Sequence, residues 1–496
     1  MSGNGVNFVY QIFVRSFCDS NNDGIGDLNG IISKIDYLKE MGVDAIWLTP
    51  IFYGASYHKY DTLDYYQIDP EFGSMQDFES LVSKLHEHGI QLYLDLVINH
   101  TSSRHPWFQK AIEGDARYRD YYHWLPIDEI KRRGIERRAA TDDSGLEFPW
   151  HKVTKEGQIR YFGMFWKEMP DLNYSSDVLK EEIIRIAQFW LAKGVDGFRL
   201  DAAKHIFPSW EAKEKTIEFW AWFRGQLALD YPKFQLIGEV WDKPEVVSPY
   251  FKSFDTCFNI DFNYNLKNVL AAENGGDDLI QNLIETYHAY AKVNPNFYDA
   301  LFLSNHDVER IASSLGMNGQ KLKLSIAISM TLPAQLYLYY GDELGMKGKK
   351  PDQYLRECFT WDEAKKMYWL KPKYNSLKQI KPLTAQRNDA FSIFNWYQKW
   401  IQIRKNNGVL NDNSYQTLHP SKTKKDGLMS YKRINEAEQL LILHNLSGKE
   451  VKVMLHQEEV EFQEIFYSNG FLSGTHPQYA IPAYESLILK RSVTPV

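Results

Sequence analysis

The sequence predicts an α/β protein: a closed (β/α)8 TIM barrel with a small domain inserted after its third strand and a C-terminal antiparallel β-sandwich. Three observations predict it. Short apolar runs, several of them β-branched, alternate with longer segments of helical period over roughly the first four hundred residues. The stretch from His100 to about Pro170 lacks that period and is too long for a plain connection. Beyond Lys405 the pattern changes to short alternating runs.

Taken in order, the candidate strands are VNFVYQIFV (6–14), AIWLTP (45–50), QLYLDLV (91–97), DGFRLDA (196–202), FQLIGEVW (234–241), TCFNIDF (256–262), ALFLSN (300–305) and AQLYLYY (334–340). Helical segments fall between them at Leu28 to Met41, Met75 to His88, Val178 to Lys193, Ser209 to Leu229 and Gln320 to Leu332. Eight strands joined by crossovers suit a closed barrel, assigned to 1–100 and 170–406. The insertion, rich in Trp, Tyr, His, Arg and Asp, takes 101–169. LMSYKRI, QLLILHNL, KVMLH and ESLILKR place the sandwich in 407–496.

Composition excludes several roles. A formal charge of −7 offers no general attraction to a phosphate backbone, which argues against nucleic acid. The one basic run, KRRGIERR (131–138), contains a Gly and a Glu and reads as a solvated loop. No apolar stretch approaches a membrane span. Cys18, Cys257 and Cys358 are too few and too scattered for a disulfide framework. The N-terminal MSGNGVNFVYQIF has no leader pattern, which suggests the cytoplasm, or secretion with the leader absent from this sequence.

A barrel of this kind does its chemistry at the C-terminal ends of its strands. Four ends carry polar residues: DLVINH (95–100), GFRLDAAKH (197–205), GEVW (238–241) and FLSNHD (302–307). An Asp at a strand end is often only a helix cap, and a lone His more often serves structure. Three carboxylates converging on one mouth, however, would repel unless their charges were used. Arg199, two residues before Asp201, faces the same side of its strand. Its positive charge is expected to keep Asp201 ionised.

These four segments, in this order and on these strands, resemble the conserved regions of the α-amylase superfamily of glycoside hydrolases, and MPDLN (169–173) adds to the likeness. The resemblance implies Asp201 as nucleophile, Glu239 as proton donor and Asp307 as a third carboxylate gripping sugar hydroxyls. It implies substrate contacts from His100, His306 and Arg199, from Tyr60 stacked on the reacting sugar, and from Lys204 and His205 on the leaving-group side. Family members often have Gly where Lys59 stands. Asp61 and Arg356 match positions that clamp a non-reducing end in some exo-acting members, and a surface ion pair is the alternative reading.

The segment DSNNDGIGD (19–27) sets Asp19, Asn21, Asp23 and Asp27 at alternating positions with turn glycines between them, a pattern suited to Ca2+ or to an ordinary acidic turn. The resemblance favours Ca2+ and adds Ile25. It also raises a second calcium, at Asn99 and the His205 carbonyl. An α-amylase acting on α-1,4-linked glucan or maltooligosaccharide as a monomer is the favoured reading, given Ala202 after the nucleophile and the Lys204–His205 pair. An α-glucosidase or oligo-1,6-glucosidase, or a 4-α-glucanotransferase, is the alternative. A non-catalytic, transporter-associated relative is disfavoured by the three carboxylates.

Overall fold

The computed structural model describes residues 5–140, 145–154, 157–363, 367–468 and 474–491. Eight parallel strands, β1 (Phe8–Ile12), β2 (Ala45–Leu48), β3 (Gln91–Leu96), β4 (Gly197–Leu200), β5 (Gln235–Gly238), β6 (Thr256–Phe258), β7 (Tyr298–Phe302) and β8 (Gln335–Tyr339), pair in chain order. The ring closes where β8 pairs with β1. Alternation along each strand sorts the side chains. Val9, Ala45, Trp47, Tyr93, Ile237, Phe258, Phe302 and Tyr337 fill the barrel interior, while Phe8, Tyr10 and Ile12 join the larger core under the helices.

The helices that cover the barrel include α1 (Met75–Glu87), α2 (Asp177–Ala192), α3 (Lys213–Ala228), α4 (Ile260–Ala272), α5 (Gly276–Ala291), α6 (Gly319–Thr331) and α7 (Ile393–Lys405). Ser74 and Asp77 form a reciprocal capping box that starts α1. Three sequence expectations are corrected here. The sixth apolar run is strand only to Phe258, because Asn259 turns the chain and accepts from Phe262 N to cap α4. Leu28 to Met41 is two short helices, Leu28–Ile32 and Ile35–Glu40, broken at Ser33 and Lys34. A Cβ on Gly30 would lie 1.8 Å from Cys18 O, so close packing rather than period governs that turn. Finally, α3 starts at Lys213 rather than Ser209, since Trp210 is drawn off to stack on Trp150 of the insertion.

The insertion does contain helices. Pro106–Glu113 begins with a proline and ends at left-handed Gly114, and Ile127–Arg133 ends at Gly134. Lys131, Arg132 and Arg133, expected in a loop, therefore form a last helical turn, with Glu129 pairing both arginines. Trp124–Pro126, Ile159–Phe162 and Trp150–Lys152 make a three-stranded antiparallel sheet with Ile159–Phe162 in the middle.

The C-terminal region is an antiparallel sandwich. One sheet runs in the order Leu418–Pro420, Leu428–Ile434, Gln439–Asn445, Ser486–Arg491, Glu464–Ser468. The facing pair is Val451–Met454 with Gln478–Ile481, and Leu441, Leu443, Val453, Phe462, Tyr479 and Leu487 pack between the sheets. Two fully buried arginines tie this region to the barrel: Arg433 from the sandwich, and Arg404 of α7, whose Nη2 donates to Asn413 Oδ1 (2.7 Å). Arg433 Nη1 donates to Thr331 O (2.6 Å), and Arg404 donates to the carbonyls of Met330, Leu332 and Ala334, so both cations meet the carbonyl end of α6. None of the three cysteines forms a disulfide among the described residues. Among the described residues no helix is long and apolar enough to cross a membrane.

Candidate active site

Asp201 follows directly on β4, and Glu239 on β5. Between them the chain turns through Ala202, whose φ of 47° is left-handed for a residue with a side chain. That turn fastens the two strand ends together: Ala202 N donates to Glu239 Oε2 (3.3 Å), Ala203 N to Glu239 O (3.2 Å) and Glu239 N to Leu200 O (3.2 Å).

Arg199, 1% exposed, gathers three carboxylates. Its Nη1 lies 2.7 Å from both Asp95 Oδ1 and Asp201 Oδ1, and its Nη2 lies 2.5 Å from Glu239 Oε2. Glu239 Oε1 accepts the indole N–H of Trp241 at 2.9 Å. Burial pushes the Asp201 carboxyl above its ordinary range; Arg199 pulls it back, while Asp95 and Asp307 push it further up. Glu239 is likewise raised, first by burial. The guanidinium therefore does not dominate Asp201 as the sequence suggested, because desolvation outweighs it. Asp307 behaves oppositely. Burial opposes its ionisation, but His306, Arg356 and Arg199 hold it well below the usual carboxylate range.

Asp307 is reached from two sides, by His306 Nε2 (2.9 Å to Oδ2) and Arg356 Nη2 (2.9 Å to Oδ1). Gln11 of β1 approaches His306 Nδ1 at 2.7 Å, and the Tyr60 hydroxyl lies 2.5 Å from His306 Nε2. The Tyr60 ring stacks on His306, with centroids 5.4 Å apart and planes 2° from parallel, and its hydroxyl donates to Asp95 Oδ2 (2.9 Å). Tyr60, Asp95, Arg199, Asp201, Glu239, His306 and Asp307 thus form one connected group at the barrel mouth.

Other sequence-named residues fall around it. His100 has Nδ1 against Asn99 Oδ1 (3.0 Å) and Nε2 against Tyr60 O (3.2 Å), and burial pushes its pKa down to about 4, so the ring is neutral. Lys204 bends toward the end of β5, donating to Asp242 Oδ2 (2.8 Å) and Trp241 O (3.3 Å). The Asp61–Arg356 pairing suggested from sequence does not form. Asp61 accepts from Ser56 N and Oγ, whereas Arg356 holds Asp307, His306 O (3.0 Å) and the Tyr57 hydroxyl (2.9 Å).

Sequence reasoning missed two contributors, Phe165 and Tyr57. Phe165 of the insertion is partly exposed and sets its ring 5.6 Å from that of His205 and 5.8 Å from that of His100. Nothing in its local pattern marks it; only the fold does. Tyr57 supports Arg356, its closeness to motif residues being the only available signal, whereas Trp241, already within GEVW, adds an indole N–H donated to Glu239.

In the 19–27 loop each acidic side chain folds onto the backbone. Asp19 accepts from Asn21, Asn22 and Gly24 N, Asp23 from Ile25 N, and Asp27 from Ser20 and Gly30 N. Asn22 and Gly24, at φ 66° and 92°, make the turn. Among the described residues no three His, Cys, Asp or Glu side chains gather as a metal-holding group. The loop's donors are oxygens from Asp, Asn and a carbonyl, the hard set that Ca2+ takes. At the second expected calcium position, Asn99 Nδ2 bonds directly to His205 O at 2.6 Å.

At the barrel mouth three raised carboxyls, Asp95, Asp201 and Glu239, share Arg199 with the depressed Asp307 beside them, an arrangement suited to glycoside hydrolysis. The chain belongs to the α-amylase family: residues 11–413 match the family described as "Alpha amylase, catalytic domain", and 428–488 match the "Alpha-amylase SusG C-terminal domain". It is 39% identical over 463 residues to alpha-amylase 3 of Dictyoglomus thermophilum, covering 92% of this chain and 88% of that protein. It is 36% identical to the 4-alpha-glucanotransferase of Thermotoga maritima, covering 89% and 96%. The crystal structure of the alpha-amylase from H. orenii superposes with a TM-score of 0.84 at 35% identity, over 98% of this chain and all (100%) of that one.

Proposed function

We propose that the protein hydrolyses α-1,4-glucosidic bonds of starch-type glucans and maltooligosaccharides with retention of configuration, as a monomeric α-amylase. The observation that carries this is the guanidinium of Arg199 bridging Asp201 and Glu239, which keeps two carboxyls of different strands at one reacting centre. Asp201 attacks the anomeric carbon while Glu239, its pKa raised by burial, gives its proton to the leaving oxygen. The resulting glycosyl-enzyme is opened by water as Glu239 takes the proton back. Asp307, held ionised by His306 and Arg356, binds sugar hydroxyls, and Tyr60 and His100 complete the walls around that glucosyl unit. The Lys204–His205 segment faces the leaving group.

A 4-α-glucanotransferase is the second reading, favoured by the Thermotoga maritima relative, since both activities share the intermediate and differ in whether water or sugar accepts it. Product profiles over time from amylose, pullulan, maltotriose, isomaltose and cyclodextrin decide between them. Internal cuts in amylose with isomaltose untouched are the expected outcome, and longer maltooligosaccharides accumulating from maltotriose would favour transfer. Asp201→Asn and Glu239→Gln are each expected to lower kcat by about 10^3-fold or more without changing the far-UV circular dichroism. Near-normal turnover in either variant would defeat the role assignment.

Asp19, Asn21, Asp23, the Ile25 carbonyl and Asp27 would hold a Ca2+ ion, which takes oxygen donors of this kind.

A further inference from the structure

Tyr60 owes its place to the residue before it. Lys59 has a φ of 62°, a conformation that L side chains adopt only when the surroundings impose it, and it is only 5% exposed. A buried lysine needs a partner for its charge. Lys59 Nζ lies 2.8 Å from Asp69 Oδ2, 2.7 Å from Glu71 Oε2 and 3.4 Å from Gly54 O.

Those partners are themselves fixed. Asp69 accepts the N–H groups of Gly54 (3.1 Å) and Glu71 (3.0 Å). Glu71 also pairs with Arg15, whose Nε donates to Tyr57 O (3.2 Å). Burial works against Glu71 ionising, yet the bonds from Arg15 and Lys59 hold its carboxyl below the usual range. The ammonium therefore fastens both the start (Gly54) and the far side (Lys59) of loop 54–61 to the turn at 69–71. From that loop Tyr60 reaches His306 and Asp95, and its carbonyl meets His100 Nε2.

We propose that Lys59 is a positioning residue of the glucosyl site: its buried ammonium, clamped between Asp69 and Glu71, fixes the backbone that aims Tyr60 at His306 and Asp95. Lys59 touches no reacting atom in this scheme and acts through Tyr60. The inference rests on the assignment of Tyr60 to the glucosyl site.

A double-mutant cycle on the full chain with maltopentaose tests it, using Lys59→Gly, Lys59→Arg, Tyr60→Ala and the Lys59→Gly, Tyr60→Ala pair. Glycine suits the local φ, so a purely conformational role predicts an unchanged or better enzyme. The positioning role predicts that Lys59→Gly lowers kcat about 10- to 100-fold with KM changed by less than about 3-fold, since small displacements of a binding wall act on the transition state. Lys59→Arg should recover much of that loss. In the Tyr60→Ala background, Lys59→Gly should change kcat by less than about 2-fold.

Full activity in Lys59→Gly, or an equal loss in both backgrounds, would overturn the proposal. If Tyr60→Ala alone leaves kcat intact, the fault lies with the site assignment instead. Should Lys59→Gly not fold, Lys59→Met, which keeps a buried stem of similar length and removes the ammonium while Asp69 keeps both accepted N–H bonds, carries the same expectations.

Discussion

Asp95 and Asp201 each accept from Arg199 Nη1 at 2.7 Å, so the guanidinium is divided between the nucleophile and a neighbour that never touches substrate in the proposed scheme. Both carboxyls are buried and raised, and each adds to the repulsion felt by the other or by Glu239. The nucleophile must be ionised to attack. Activity therefore falls as pH drops through its raised pKa, and the acid limb of kcat/KM should lie above the ordinary aspartate value of about 3.9. Asp95→Asn removes one negative charge and leaves Arg199 more fully to Asp201. Both changes favour the ionised nucleophile, so the acid limb should move to lower pH by roughly 0.5 to 1 unit. Turnover at the optimum should fall too, because Tyr60 loses a charged acceptor. A limb that stays in place or moves upward would show that Asp201 does not set it.

The 19–27 loop is an element whose geometry comes from backbone bonds to its own acids, and Asp19, Asp23 and Asp27 each hold part of the turn. A Ca2+ ion there would add stability by binding the folded loop alone. Removal of calcium by chelation should lower the melting temperature by several degrees, and Asp23→Ala should melt low with or without chelator. Identical melting curves for the native chain before and after exhaustive calcium removal would reject the loop as a stabilising metal site. The elements that were legible in advance were those with a strong period. All eight strand runs carry a barrel strand, because a strand buried on both faces reads as an unbroken apolar stretch, and the carboxylates follow by position at the strand ends. Inside the insertion the helices at Pro106 and Ile127 are too short and too aromatic for a period to emerge, although Pro106, Gly114 and Gly134 mark their ends. In the sandwich, Leu418–Pro420, Glu464–Ser468 and Gln478–Ile481 went unseen because their positions depend on pairing with distant strands. Phe165 was hidden for the same reason, since its partners His100 and His205 are far away in sequence, whereas the Lys59 clamp uses nearby Gly54, Asp69 and Glu71 and was hidden because no local pattern marks an ammonium as buried.

Closure of the barrel places an acid at the seam of the whole molecule. Glu343, fully buried just after β8, accepts from the hydroxyl of Tyr10 on β1 and from that of Tyr37 on the Ile35–Glu40 helix, so one carboxyl joins the last strand, the first strand and the layer outside them. Its second oxygen has no hydrogen-bond partner among the described atoms. Burial pushes its pKa up to about 7, against about 4.3 in an unfolded chain. A carboxyl whose folded pKa is raised binds its proton more tightly when folded. Its contribution to stability is complete below the unfolded value and is lost as pH rises through about 7. Asp299, buried in β7 and raised to about 7, pulls in the same direction. Glu343→Gln keeps the oxygen that both tyrosines use and removes the titration. The native chain should therefore lose melting temperature between pH 5 and pH 8, and the variant should lose less, by about 2–4 °C. At pH 5 the two should nearly coincide, since Glu343 is then protonated and close to glutamine in shape and charge. Parallel curves across that range would mean that Glu343 does not titrate at the seam, and that barrel closure is insensitive to pH there.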